Sequence, residues 1–264
     1  MKTFKYYCVL WGAYMRVGLL TTMQYPADTI IWIISMLIRE AAGFIAILTL
    51  IQIAGDLGDW NFYEICILFS MSAIIEAIGQ TFFDCVWSID RVIQRGDMDV
   101  FLIRPASPFI QLLGQVIHFQ ALLSMLIYIL IFIWAASNIG IVFQVRELQI
   151  LIEYIICGTI INSGIYTIFN CLNFWIVQGD DIAVLVQTCR EFTKYPLSIF
   201  PKLIISFFTY LLPLGFVAYY PALCLLNKAT IPIRIQLPAI ASCILIIGSM
   251  LWRKGIKRYN STGT

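Results

Sequence analysis

Charge is scarce in this sequence. Only 12% of its 264 residues are Asp, Glu, Lys or Arg, against about 25% in soluble domains, and His118 is the only histidine. Chemical motifs are missing too. There is no G-x-x-x-x-G-K-[ST] phosphate loop, no nucleophile elbow, no H-E-x-x-H, and no pair of acids with a basic partner on a water-facing segment. The chain is therefore expected neither to hydrolyse ATP nor to be an enzyme; one acting on membrane lipid is the weakest reading. The 8 cysteines include no C-x-x-C pair and are scattered singly, mostly through apolar stretches, so they are expected to pack rather than to bridge or bind metal. His118, beside Gln115, is expected to be a hydrogen-bonded packing residue rather than a proton carrier.

Apolar sequence is plentiful. With 61% hydrophobic residues and a mean hydropathy of +0.87, the chain reads as an all-α integral membrane protein. At about 20 residues per crossing it has room for roughly six spans in one membrane domain, residues 1–264, and none for a soluble catalytic domain. Residues 1–25 carry Tyr6, Tyr7, Trp11 and Tyr14 among Lys2, Lys5 and Arg16, the mixture of an interfacial helix. Arg16 interrupts the apolar region and no small-residue cleavage site follows, so the segment is expected to stay in the mature chain. Spans are expected at Thr29 to Ile53, Phe62 to Val86, Pro108 to Ala136, Leu148 to Val177 and Leu237 to Trp252. The fifth has two candidates. Either Leu203 to Leu226 crosses after an amphipathic cytoplasmic segment, or Ile182 to Phe200 crosses and Leu203 to Leu226 dips in and out. Hydropathy favours the first, because Arg190, Glu191 and Lys194 sit badly in lipid.

Lys and Arg set the orientation. Lys2, Lys5, Arg16, Arg91, Arg95, Arg104 and the Arg253, Lys254, Lys257, Arg258 group of the 253–264 tail fall on one side, with Arg190, Lys194 and Lys202 on the favoured layout. Arg146, Lys228 and Arg234 fall on the other. Both termini are thus expected in the cytoplasm of a multi-pass protein of the cell (plasma or inner) membrane. The outer loop Gly55 to Glu64 has Asp56, Asp59 and Glu64 without a basic residue. The formal net charge of +2 says little about partners, and no nucleic acid is expected; membrane lipid is.

Several polar residues fall inside the spans. Arg39 and Glu40 sit near the middle of the first, and Ser72, Glu76, Gln80 and Asp84 recur at four-residue spacing in the second. Thr159, Asn162, Ser163, Tyr166, Thr167, Asn170 and Asn173 form a stripe in the fourth. Each lone mid-membrane charge costs about 3 kcal/mol on insertion scales, so these groups must face protein or water. Two readings stay open for Arg39, Glu40, Glu76, Gln80, Asn162, Thr167 and Asn170: interhelical packing with an Arg39–Glu76 ion pair, or a polar wall of a translocation pathway. Packing is favoured for the fourth span.

The segment Asp90 to Pro108, DRVIQRGDMDVFLIRPASP, differs from all this. Six of its nineteen residues, Asp90, Arg91, Arg95, Asp97, Asp99 and Arg104, are charged, so lipid cannot surround it and it forms the loop of a membrane hairpin, residues 87–107. Ile89, Val92, Ile93, Met98, Val100, Phe101, Leu102 and Ile103 give it an apolar side. Gly96 interrupts it, and Pro105 and Pro108 end it. The run Arg95-Gly96-Asp97-Met98-Asp99-Val100-Phe101-Leu102-Ile103-Arg104-Pro105 resembles the loop of permease subunits of the ABC-2 transporter family, where G-x-[LM]-[DE]-x-[YFL]-L-x-x-P lies between the second and third helices. Tyr195-Pro196-Leu197-Ser198-Ile199-Phe200-Pro201 with Leu212-Pro213 and Tyr219-Tyr220-Pro221-Ala222, and the tail Lys257 to Gly263, give two further matches in order.

The resemblance implies an exporter fold in which Asp90, Arg91, Arg95, Gly96, Asp97, Asp99, Arg104 and Pro105 belong to a coupling helix docked in an ATP-binding cassette subunit. It also implies that ATP and Mg sit on that partner and no cofactor on this chain. A second permease subunit, a copy or a homologue, would complete the pathway, and the general family pattern places a proline-rich re-entrant pair before the last helix. The rival is an ion-coupled secondary transporter using Glu76 and Arg39 as a relay. Against it stands the lack of inverted repeats with paired Gly/Pro-broken helices.

Overall fold

The computed structural model describes residues 2–54, 60–141, 143–176, 179–229 and 232–260. Asp56 and Asp59 of the expected outer loop, Val177 and the last four residues of the tail lie outside these. Twelve α-helices are described: α1 Lys2–Gln24, α2 Pro26–Ala54, α3 Phe62–Phe83, α4 Ile89–Gln94, α5 Asp97–Ile103, α6 Pro108–Leu113, α7 Phe119–Ile139, α8 Val145–Asn170, α9 Gly179–Arg190, α10 Lys202–Ser206, α11 Tyr219–Leu225 and α12 Ile233–Arg258.

Five of these are long and apolar enough to cross a membrane: α2, α3 with its continuation to Gln94, α7, α8 with its last turn to Phe174, and α12. They match the five expected spans outside the ambiguous region, apart from one break. Asn61 opens α3 with a capping box, its backbone N–H donating to Glu64 Oε2 at 2.8 Å. From Ile65 to Ala77 every residue of α3 is buried, as fits a helix apolar all round and enclosed by neighbours. It packs against α7, α8, α11 and the turn after α9, while α12 lies on α8. Gly164 lies against Ile244, and a side chain on it would meet that residue; small residues at such positions let membrane helices approach closely. α2 stands apart, with Ile30, Ile31, Ile34, Ile38 and Ile45 exposed and, among its described side chains, only Met36 and Glu40 buried.

The expected single helix from Pro108 to Ala136 is broken. α6 ends at Gly114, where a side chain would meet the Tyr14 ring, and α7 begins only at Phe119. α1 runs beside this break. Tyr7 Oη accepts from the Ser107 N–H at 3.1 Å, Gly18 abuts Ile117, and Thr22 Oγ1 is 3.5 Å from Gln120 Oε1.

Between α8 and α12 the structure departs from the favoured layout. The segment after Gly179 runs along α3 in the opposite direction: Arg190 reaches Glu76 and the Ser72 carbonyl, Thr193 Oγ1 meets Ser72 Oγ at 3.1 Å, and Ser198 Oγ accepts from Trp60 Nε1 at 3.2 Å. It thus passes from the middle of α3 to the residue before its cap. α10 with the π-helical turn Phe207–Leu211, and Leu214–Leu225 after it, form two arms bent by 80°. Both arms end on the same side, since Ser198 just before them contacts Trp60 and Lys228 just after them contacts Glu64 at 2.6 Å. Their turn goes inward, where the Val217 carbonyl lies near Gly158 and Ile75. Residues 202–225 thus form a bent pair with both ends at the Trp60–Glu64 end of α3, the arrangement of the re-entrant alternative rather than of a Leu203 to Leu226 crossing. Of the three charges that argued against Ile182 to Phe200, Arg190 and Lys194 pair with Glu76 and Glu40 of other helices, and Glu191 pairs with Lys194 of its own segment.

Candidate functional site

Two features stand out, a charge cluster deep in the bundle and the helical element at one end of it. The cluster is built around Glu76, which faces inward from the middle of α3 and is 6% exposed. One carboxylate oxygen accepts from Arg39 Nη2 of α2 at 3.0 Å and from Gln80 Nε2, one turn along, at 3.1 Å. The other pairs with Arg190 Nη1. Arg190, 1% exposed, is the last residue of α9, and its fork is filled: Nε donates to Asn162 Oδ1 of α8 at 3.1 Å and Nη2 to the Ser72 carbonyl at 3.1 Å. One turn on, Lys194 Nζ lies 3.0 Å from Glu40 Oε2 and 2.8 Å from Glu191 Oε2. Three cations thus face three carboxylates, and α2, α3, α8 and the α9 segment are tied at one level. Removing one member of such a buried pair strands its partner, at about 3–5 kcal/mol.

Of the residues singled out in the sequence, Arg39, Glu40, Glu76, Gln80 and Asn162 meet here, with the expected Arg39–Glu76 pair. Thr167 and Asn170 do not. Their side chains donate to carbonyls of their own helix, Ser163 at 2.8 Å and Tyr166 at 3.0 Å, and Thr167 lines a separate groove between α8 and α12. Arg190, Glu191 and Lys194 were not expected at this site. A signal existed: Arg39, Glu40 and Glu76 leave one negative charge unmet, and Arg190 and Lys194, four apart, supply cations on one face. Asp84, the end of the four-residue stripe, is not in the cluster; its Oδ2 is 3.1 Å from His118 Nε2, while Gln120 Nε2 donates to His118 Nδ1 at 3.0 Å. His118 thus has partners at both ring nitrogens, but in the break before α7 rather than within a helix.

The second feature is α4 and α5. Gly96 between them has φ 74°, a left-handed conformation that a side chain resists. Arg104, extended at ψ 147° before Pro105, ends α5 as the residue before proline should. Ile89, Val92, Met98 and Phe101 are buried with Val86, Cys171, Phe174 and Trp252 in a second apolar core. Gln111 Nε2 holds the segment by donating to the Phe101 and Ala106 carbonyls at 2.9 and 2.8 Å. The apolar side expected to face a partner is therefore divided: Met98 and Phe101 face the chain's own core, and Val100, Leu102 and Ile103 point out, Ile103 being 82% exposed. Arg91, Arg95, Asp97 and Arg104 are exposed around them and Asp90 is half-buried. Tyr259, just past α12, packs on this core, and burial together with the nearby Asp99 and Asp97 carboxylates raises its phenol pKa above the ordinary tyrosine value.

No group of His, Cys, Asp and Glu among the described residues is placed to hold a metal ion. No curated protein and no solved structure shows a match to the chain. The family profile described as ABC-2 family transporter protein matches residues 37–263, which takes in the charge cluster, α4 and α5, the re-entrant pair and α12. A helical membrane protein of this layout, matched over all but its first helix and the start of its second, belongs to the ABC-2 family of transporter proteins.

Proposed function

We propose that this chain is the permease subunit of an ATP-driven exporter and lines half of its pathway. Family membership implies an ABC transporter system with an ATPase partner; the finer reading adds how the two are joined. The observation that carries it is the α4–α5 element, whose inner face is fixed in the second core while Val100, Leu102 and Ile103 are presented outward inside a ring of charges. A buried apolar centre with a charged rim suits docking in a cleft, the rim setting register. Asp90, Arg91, Arg95, Asp97 and Arg104 form that rim, and Gly96 and Pro105 shape the element. ATP and Mg belong to the partner chain, because no phosphate loop occurs in this one. A second permease, a copy or a homologue, completes the pathway. The α4–α5 end and both termini are cytoplasmic, and the α9 segment, residues 179–200, makes the sixth crossing in the count, the fifth along the chain. Complete pairing of Glu76 supports a structural tie and weighs against a titrating relay, the ion-coupled alternative.

The test is purification from native membranes in mild detergent. An ATP-binding subunit and a second permease should co-purify. Ile103→Asp should leave the chain in the membrane but lower ATPase recovery about tenfold or more, since a charge replaces a buried interface side chain. A transport-competent assembly without any ATPase, or unchanged recovery with Ile103→Asp, overturns the reading.

A further inference from the structure

The end of the bundle opposite α4 and α5 holds a cavity of about 710 Å³ between the start of α3, the α7–α8 connection, the end of α11 and the start of α12. Four charged residues line it, Glu64, Arg146, Glu147 and Arg234. Two of them are matched: Glu64 by Lys228 at 2.6 Å and Arg234 by Glu153 at 3.5 Å. Glu147 Oε2 is buried with no donor among the described residues, and Arg146, exposed beside it, has no acidic partner among them. Arg146, Lys228 and Arg234 lie in or beside this cavity, whereas Lys202, at the same end, does not line it. Ile139, Ile150 and Leu225 supply an apolar wall.

Helix ends mark the headgroup level of a bilayer, so a site here meets lipid headgroups whichever way the chain is oriented. The cavity is balanced in charge but offers one unmatched anion and one unmatched cation next to each other. A zwitterion suits that pair, and the buried oxygen requires an N–H or O–H donor. A hydroxyl would meet the hydrogen bond but not the charge. We propose that the cavity binds the phosphoethanolamine headgroup of a zwitterionic phospholipid, its ammonium donating to Glu147, its phosphate against Arg146, and its acyl chains leaving over the apolar wall. The volume lies within the range of about 300–1,000 Å³ usual for small-molecule sites. This inference rests on the membrane reading and not on coupling to an ATPase.

The experiment is native mass spectrometry of the delipidated protein, purified in detergent, with added palmitoyl-oleoyl lipids carrying ethanolamine, N-methylethanolamine, N,N-dimethylethanolamine or choline. Retention should persist while one N–H remains and fall about tenfold at choline, the loss of a charge-assisted hydrogen bond. Glu147→Leu, which removes the acceptor, should abolish that step, Arg146→Gln should weaken all four lipids alike, and Asp181→Asn at the far end should change nothing. Competition by free O-phosphoethanolamine at millimolar concentration would show that the headgroup suffices; its absence would show that the chains contribute. Equal retention of ethanolamine and choline lipids, or a step that survives Glu147→Leu, overturns the proposal. The series needs no mutant, so it decides even where a variant fails to fold.

Discussion

Glu76 illustrates how one side chain can hold a charged segment deep inside an apolar bundle. Arg190, 1% exposed, is tolerable at its depth only because Glu76, Asn162 and the Ser72 carbonyl fill its guanidinium. Arg190→Met should therefore strand Glu76 and lower stability by about 3–5 kcal/mol, and the double change with Glu76→Gln should recover part of it. Thermal unfolding in detergent followed by size exclusion measures both; an additive double variant would contradict the pairing. Gly96→Val acts differently. It places a β-branched residue at φ 74°, at about 1 kcal/mol or more, so insertion should survive while the α4–α5 geometry and ATPase binding suffer. Comparison of membrane yield with co-purified ATPase separates the two. Arg39, Glu40 and Glu76 were legible in the sequence because an apolar span advertises its charges. Arg190 and Lys194 were legible only as two cations on one face; their partners, 114 and 154 residues away, cannot be read from spacing.

Elements differ in how plainly the sequence shows them. α2, α3, α7, α8 and α12 could be read directly, since lipid demands long apolar runs with satisfied backbones. The re-entrant pair could not. Two short apolar arms add up to the length of one span, and only the contacts of Ser198 with Trp60 and of Lys228 with Glu64 reveal that both ends return to the same side. In a background free of the native cysteines, Lys202→Cys and Asn227→Cys should react with a membrane-impermeant thiol reagent from one side, and Asp181→Cys only from the other. Labelling of positions 202 and 227 from opposite sides would restore the layout with Leu203 to Leu226 as a span. The break at 115–118 escaped notice for a related reason: it is held by Tyr14 of α1 and the Asp84–His118 contact, which lie far away in sequence.

Across the molecule, an aromatic seam ties α12 to the α4–α5 element. Trp252 stacks edge-on against Phe109 and Phe174 at 5.1 and 5.6 Å, and Tyr259 extends the seam to Asp99. Motion of α5 is thereby tied to α12. Because the Tyr259 pKa is raised in the folded chain, its contribution is complete below the ordinary tyrosine value near 10 and is lost as pH rises through the raised value. Tyr259→Phe should flatten that alkaline loss in a melting profile while leaving neutral-pH folding intact. The cluster also imposes a schedule on biosynthesis. Glu40 enters the bilayer with α2, yet its cation Lys194 is 154 residues further along the chain. At about 5–20 residues per second, that is a wait of roughly eight to thirty seconds. Until α9 emerges from the ribosome, the nascent chain carries an excess acid with no counterion, so chains cut before residue 179 should be held by the insertion machinery or degraded, and the first helices of this protein are completed by one of its last.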